Sequence, residues 1–380
     1  CGSVRSMKKH SIRRLGAILG CLFSFCAVCL VLGLLVLVPS GKTGVTGSKT
    51  IDTAGQFDTD LHNLLSDALS SVASVKKRYW IAAGTPAPVP DQGCYGSAAD
   101  PKELKGLLEQ AQDVLEGQTF YFDPETTEIL PGSEIQYYYD ETILAITWKE
   151  AHKNMAVTCA EVKIMDISQF RRYLAGEEFG CGKLMLSSEM AEAAHAVVGC
   201  SADFYGFRPD GVMILDGTAL RANRALPDLC FIKKNGDMLL YRGNDFASVE
   251  YAQKFADENE IVFSFSFGPV LIKDGKRCER YDYPIGELDR NYARSALCQL
   301  GTLHYLYTAC NREPPFGYTP DIGELTTMLL DMGVQQAYNL DGGQTTTVVM
   351  DNQVVNTVNY GNQRKISDIL YFATAKPSGG

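Results

Sequence analysis

The densest group of residues able to do chemistry is Asn339-Leu340-Asp341-Gly342-Gly343-Gln344-Thr345-Thr346-Thr347. Two adjacent glycines let a backbone come close to a ligand and turn N–H groups toward an anion. The threonine hydroxyls add donors, and Asp341 adds a carboxylate. Asp-Gly is also a common hairpin turn, so the run by itself leaves both readings open. A second group is Cys200-Ser201-Ala202-Asp203-Phe204-Tyr205-Gly206-Phe207-Arg208-Pro209-Asp210-Gly211, which puts Asp203 at the end of an apolar strand. A third is Ser264-Phe265-Ser266-Phe267-Gly268-Pro269, followed by an apolar run and the turn Lys273-Asp274-Gly275. In a fourth, Arg294 opens a strand, and arginine suits two-pronged recognition of phosphate oxygens. A surface ion pair is the ordinary alternative for an isolated arginine.

The elements that must position these groups are mostly strands. From about residue 135, short runs rich in β-branched and aromatic residues predict strands at 135–139, 142–148, 156–167, 197–202, 212–215, 229–233, 238–241, 261–265, 270–272, 296–300, 303–309, 347–350 and 369–374. Turn signals such as Asn235-Gly236-Asp237 separate them. Helices are expected at 168–174, 187–195, 248–259 and 322–332, and a further one at 101–116 with Asp100 as its N-cap. The expected fold class is α+β, a strand-rich mixed sheet domain with a few flanking helices.

Four of these groups, in this order, resemble the phosphodiester glycosidase family over roughly residues 135–375. Asp203, Phe204, Tyr205 and Gly206 match its strand-ending Asp–aromatic–Tyr–Gly motif. Phe267, Gly268, Pro269 and Gly275 match a Phe-Gly-Pro with a later turn glycine. Tyr292-Ala293-Arg294 keeps the arginine of Asn-Pro-Arg. His304 and Tyr305 match a His-Tyr strand whose closing Asp-Gly-Arg becomes Cys310-Asn311-Arg312. Asn339 to Gly343 match Asn-Leu-Asp-Gly-Gly, with Gln344 where glycine is usual. Arg364, Ser367, Asp368 and Ile369 match a late Arg before Ser-Asp-Ile.

The resemblance implies hydrolysis of a sugar-1-phosphodiester to free sugar and a phosphate monoester. On that reading Asp341, Asp203 and Arg294 are the catalytic candidates. Gly342, Gly343, Thr345, Thr346, Asn339, Arg312, His304 and Tyr205 are the substrate-binding candidates. No cofactor is firmly implied, and a divalent metal between Asp341 and Asp203 stays open. The alternatives are a non-catalytic glycan-binding or exopolysaccharide assembly protein using the same pocket, and a metal-dependent phosphodiesterase that cuts the P–O bond.

The N-terminal part sets the expected address. Residues 15–38 are 24 uncharged, largely apolar residues. A helix needs roughly 20 such residues to cross a bilayer. Arg5, Lys8, Lys9, Arg13 and Arg14 precede the run, so the positive-inside rule predicts a cytoplasmic tail at 1–14 and an exported remainder. A cleaved signal peptide is the competing reading. Residues 39–80 read as a linker and an amphipathic stalk helix, residues 81–134 as an N-terminal extension, and residues 135–376 as the glycosidase-like domain. Beyond the basic tail, 30 basic residues face 45 acidic ones, a net charge of −15. That surface argues against nucleic acid as a partner. The expected partners are a sugar-phosphate or polysaccharide substrate and, through the N-terminal helix, the cell membrane; oligomeric state is left open. Eight cysteines lie between residues 94 and 310. An exported site permits disulfides, and buried free thiols serve equally well. Among these eight there is no C-x-x-C pair, which argues against structural zinc.

Overall fold

The structure is a computed structural model that describes residues 79–377, apart from 280, 281 and 286. The basic tail and the apolar segment at 15–38 lie outside these residues, as does nearly all of the expected stalk. Among the described residues no helix is long and apolar enough to cross a membrane.

Among the described residues nineteen strands are formed, in chain order. They are β1 (Tyr95–Ala98), β2 (Ile135–Asp140), β3 (Ile143–His152), β4 (Met155–Ile164), β5 (Phe170–Leu174), β6 (Val198–Ser201), β7 (Met213–Leu215), β8 (Thr218–Arg221), β9 (Asp228–Lys233), β10 (Met238–Arg242), β11 (Ile261–Phe265), β12 (Val270–Lys273), β13 (Lys276–Arg277), β14 (Arg294–Gly301), β15 (His304–Cys310), β16 (Gln336–Leu340), β17 (Val348–Met350), β18 (Gln353–Val354) and β19 (Asp368–Phe372). The helices are α1 (Lys105–Gln110), α2 (Gln112–Leu115), α3 (Ser187–Ala193), α4 (Val249–Asn259) and α5 (Ile322–Asp331). The strand-rich domain with few helices is therefore the one expected.

Two sheets carry the architecture. A nine-stranded sheet runs β1-β2-β3-β4-β15-β14-β16-β12-β13, and a five-stranded sheet runs β18-β17-β6-β19-β5. Their ladders are antiparallel; Met155 and Tyr318 form an isolated parallel bridge. The sheets face each other across one apolar core that includes Ala145, Val162, Leu297, Tyr307 and Leu340 from the first, and Phe170, Val198, Cys200, Leu370 and Phe372 from the second. The other face of the large sheet packs under α1, α2 and α5, where Ile322, Leu325, Met328 and Leu329 are buried. That explains why β4 and β15 are buried along their whole length rather than at alternate positions. A three-stranded sheet, β10-β9-β11, buries a smaller cluster against α4.

Two local expectations are corrected. Residues 168–174 are not a helix. Asp166 caps a single 3-10 turn, Ile167–Gln169, and the chain then extends as β5 with alternating burial. Residues 101–116 form a 3-10 turn and two short helices rather than one long helix, although Asp100 does cap the start. The eight described cysteines are all free thiols, and five of them are buried. In the sheet interior they act as small apolar side chains.

Phe170 stands at the centre of the sandwich, stacked on Phe372 at 4.5 Å and packed on Tyr305 and Phe263 at 4.8 and 4.9 Å. Replacing a buried Phe by Ala typically costs about 3–5 kcal/mol. Phe170→Ala is expected to lower unfolding stability by that amount in urea titration, with the transition remaining cooperative.

Candidate functional site

Three strand ends meet on one side of the sandwich. β6 runs out into Ala202-Asp203, β11 into Ser266-Phe267, and β16 into Asp341. The Asp341 N–H donates to the Ala202 carbonyl at 3.2 Å, joining the ends of the two sheets. The Asn339 amide donates to the Gly268 carbonyl at 2.7 Å, and the Gly268 N–H returns to the Asn339 carbonyl at 3.0 Å. Asn339 thus fixes the Gly268-Pro269 segment against β16.

Between these ends lies a narrow pocket lined by Asp203, Tyr205, Arg208, Arg221, Ser266 and Asp341, among others. Its cavity volume is ≈ 10 Å³, room for about one water molecule.

Asp341 is held on both oxygens. Oδ1 accepts from the Gly342 N–H at 3.0 Å, and Oδ2 from the Thr345 hydroxyl at 2.8 Å. Burial pushes its pKa up to about 6, although Thr345, Gly342 and the charges of Arg208 and Arg364 pull the other way. A carboxylate titrating there is suited to take a proton near neutral pH. The glycines serve geometry. A Cβ on Gly342 would sit 2.5 Å from the Ala293 carbonyl oxygen, and Gly343 has φ +72°. The Gly343 N–H donates to Ala293 at 2.8 Å. Both N–H groups of the pair therefore have protein partners rather than being offered to an anion.

Asp203 has a different environment. Arg172, from β5, donates to its Oδ1, and the Ser266 N–H donates to Oδ2 at 2.7 Å. The Arg172 side chain is fully buried and also reaches Asp368 Oδ2 through Nε at 3.0 Å and Nη2 at 2.8 Å. One cation thus serves two carboxylates. Burial, with the Asp368 charge, pushes the Asp203 pKa up against the pull of Arg172. Asp368 Oδ1 in turn accepts from the Tyr205 N–H at 3.3 Å and the Ser367 hydroxyl at 2.9 Å, and Ser367 accepts from the Gly206 N–H at 3.0 Å. The whole Asp203–Gly206 motif is clamped by residues of β5 and β19. Each Asp203 oxygen thus already accepts one hydrogen bond. Among the described residues no group of three His, Cys, Asp or Glu side chains is placed to hold a metal ion.

The cations of the site are Arg208, Arg221 and Arg364. Arg221 Nη1 donates to the carbonyls of Tyr205 at 3.0 Å and Arg208 at 2.9 Å, bracing the loop, while its buried Nε has no partner among the described residues. The Arg208 guanidinium lies 5.5 Å from the Phe267 ring centre. Arg364 lies 5.3 Å from that of Phe204.

Several sequence candidates stand elsewhere. Arg294 shares a strand face with Ala296 and Cys298, the face that packs toward α5. Its Nη2 donates to the carbonyls of Glu287 and Arg290, and burial lowers its pKa. It does not line the pocket. His304 is buried on the same side of the sheet, 2.8 Å from Glu161 and stacked on Phe120. Glu161 also accepts the Tyr121 and Phe122 N–H groups, so His304 serves packing. Arg312 is exposed. Thr346 is buried behind the loop, its hydroxyl without a partner. Tyr205 lines the pocket. The cysteine that replaces the motif acid, Cys310, faces Met328 of α5 rather than the pocket.

Sequence reasoning missed Arg172, Arg208 and Arg221 altogether. Arg208 lay in plain view beside Asp203. Arg172 was masked by the expectation of a helix at 168–174; a charged residue at an inward position of an alternating strand was the available signal.

Comparison with known proteins adds an independent line. Residues 192–373 match the family model described as phosphodiester glycosidase. That stretch holds Asp203, Arg208, Arg221, Asp341, Arg364 and Asp368, while Arg172 precedes it. Among solved structures the chain is similar to a hypothetical protein from Synechocystis, with 14% identity and a TM-score of 0.45, over 62% of each chain. It is also similar to the zebrafish N-acetylglucosamine-1-phosphodiester α-N-acetylglucosaminidase catalytic domain auto-inhibited by its pro-peptide. There the identity is 15% and the TM-score 0.48, over 77% of this chain and 96% of that one. No curated protein sequence matches the chain.

Removing the cation from a buried charge cluster typically costs about 3–5 kcal/mol. Arg172→Ala is expected to lose that much at pH 7. Without Arg172 the Asp203 pKa rises further, so the mutant regains stability relative to wild type as pH falls and Asp203 takes up its proton. The wild-type Asp203 carboxyl is already pushed up to about 7, so the recovery falls above that value: unfolding curves at pH 9 and pH 7 check this, and an equal deficit at both pH values would contradict it.

Proposed function

We propose, from the match of residues 192–373 to the phosphodiester glycosidase family model, that the chain hydrolyses the glycosidic bond of a sugar-1-phosphodiester. The observation that carries this reading is Asp341. It lines a space for about one water that Arg208 and Arg221 also line, and burial pushes its carboxyl up to about 6.

In the proposed reaction Asp341 takes a proton from that water as its oxygen attacks the anomeric carbon. A new C–O bond forms there, and the bond from that carbon to the phosphate oxygen breaks. The electron pair leaves with the phosphate monoester. Ordinary glycosidases must protonate an alkoxide leaving group. A phosphate monoester is a better leaving group, so fixed positive charge replaces most of the need for an acid. Arg208 and Arg364 are assigned that task. Arg221, with its free buried Nε, holds the loop that carries Arg208. Asp203 is assigned a positioning role, because Arg172 and Ser266 occupy its oxygens. This moves the phosphate-binding role from Arg294 to arginines nearer the carboxylate.

The wider setting is part of the proposal. An anchor at residues 15–38 would hold the domain on the outer side of the cell membrane, beside an envelope or exported polysaccharide carrying phosphodiester links.

Asp341→Asn is expected to reduce turnover of a sugar-1-phosphodiester by about 10²–10⁴-fold, and Arg208→Ala by about 10²–10³-fold. A base must be ionised to act, so wild-type kcat/KM is expected to fall on the acid side with an inflection near pH 6. Steady-state kinetics from pH 4 to 8 read all three. Binding of the diester without product would favour a glycan-binding protein instead.

A further inference from the structure

The pocket beside Asp341 has room for about one water, so a sugar cannot enter it. The sugar must lie at the mouth, and what stands there is unusual for a soluble surface. Phe207 is 60% exposed, although it sits on a braced loop in the middle of the motif. Its ring stacks on Phe204 with centres 5.2 Å apart and planes 20° from parallel. Two guanidiniums flank it, Arg364 at 5.6 Å and Arg208 at 5.8 Å from its centre.

The backbone is bent to produce this arrangement. Phe204 has φ +52°, a left-handed conformation that is costly for a bulky side chain. The neighbouring Arg172–Asp203 and Asp368–Tyr205 contacts hold it there, and the Phe207 N–H closes the turn on the Phe204 carbonyl at 3.0 Å. More than half of the outer ring faces solvent, so burial alone does not account for it. The strain buys an aromatic face next to two cations.

That juxtaposition has one natural counterpart, a pyranose with a phosphate on its anomeric carbon: an apolar C–H face beside an anion. We infer that Phe207 is the sugar platform of the site and sets its preference for the sugar part of the substrate, with Arg208 and Arg364 holding the attached phosphate. The inference rests on the proposed reaction for its substrate class. The competing role for the ring is to hold the two arginines in place without touching a ligand.

The test uses the full chain, wild type and the variants Phe207→Ala and Phe207→Trp. The probes are the methyl phosphodiesters of glucose-1-phosphate and N-acetylglucosamine-1-phosphate, with inorganic phosphate as a competing ligand. Calorimetric binding is measured alongside kcat and KM. Phe207→Ala is expected to weaken diester binding and raise KM roughly tenfold. Its kcat should change less than about twofold and its phosphate affinity should hold, while Phe207→Trp restores diester binding. Unchanged diester affinity in Phe207→Ala, or an equal loss of phosphate affinity, would overturn the platform. If wild type binds the diesters but releases no sugar, the hydrolase reading fails, and the binding comparison still decides the role of Phe207.

Discussion

A single buried guanidinium organises the candidate site. Arg172 has no solvent contact and meets two carboxylates and the Ser264 carbonyl. Burying three charges is costly unless each finds its partners. Here they do: Asp203 also accepts from Ser266, and Asp368 from Tyr205 and Ser367. Since these residues come from β5, β19 and the chain ends after β6 and β11, the cluster forms only when both the sandwich and the smaller sheet are in register. Folding and site assembly are then one event, and the strained turn at Phe204 is held by the same contacts.

The two carboxylates of the pocket have separate fates because their surroundings differ. Asp203 is locked by a cation, which fits it to hold structure. Asp341 is held by a hydroxyl and one backbone N–H, with arginines nearby rather than in contact. In the proposed reaction the proton that moves is therefore the one Asp341 takes up. On the proposed reading, chemistry at Asp341, charge at Arg208 and Arg364, and an aromatic face at Phe207 share one opening, on a frame that the Arg172 cluster fixes.

Much of this was legible in the sequence, and the reasons are local. Asp341-Gly342-Gly343 announced itself because only glycine tolerates the approach to Ala293, and Asp203 because a carboxylate at the end of an apolar run needs a partner. The strands were read from β-branched runs and turn signals that demand little of tertiary structure. What failed was facing. Arg294 and His304 belong to strands that are buried on both sides, where alternation gives no clue to which layer a side chain enters. Both turn toward the helical layer. Arg172 failed for the opposite reason: its alternating strand is only five residues long and follows a capped turn that imitates a helix start. Long-range pairing, not local pattern, decided each case.

In the proposed hydrolysis water attacks the sugar carbon and not phosphorus. Hydrolysis of a sugar-1-phosphodiester in oxygen-18 water tests it directly, with mass spectrometry of both products. The account predicts the label in the anomeric hydroxyl of the released sugar and none in the phosphate monoester. Label in the phosphate, with the sugar oxygen unlabelled, would contradict it.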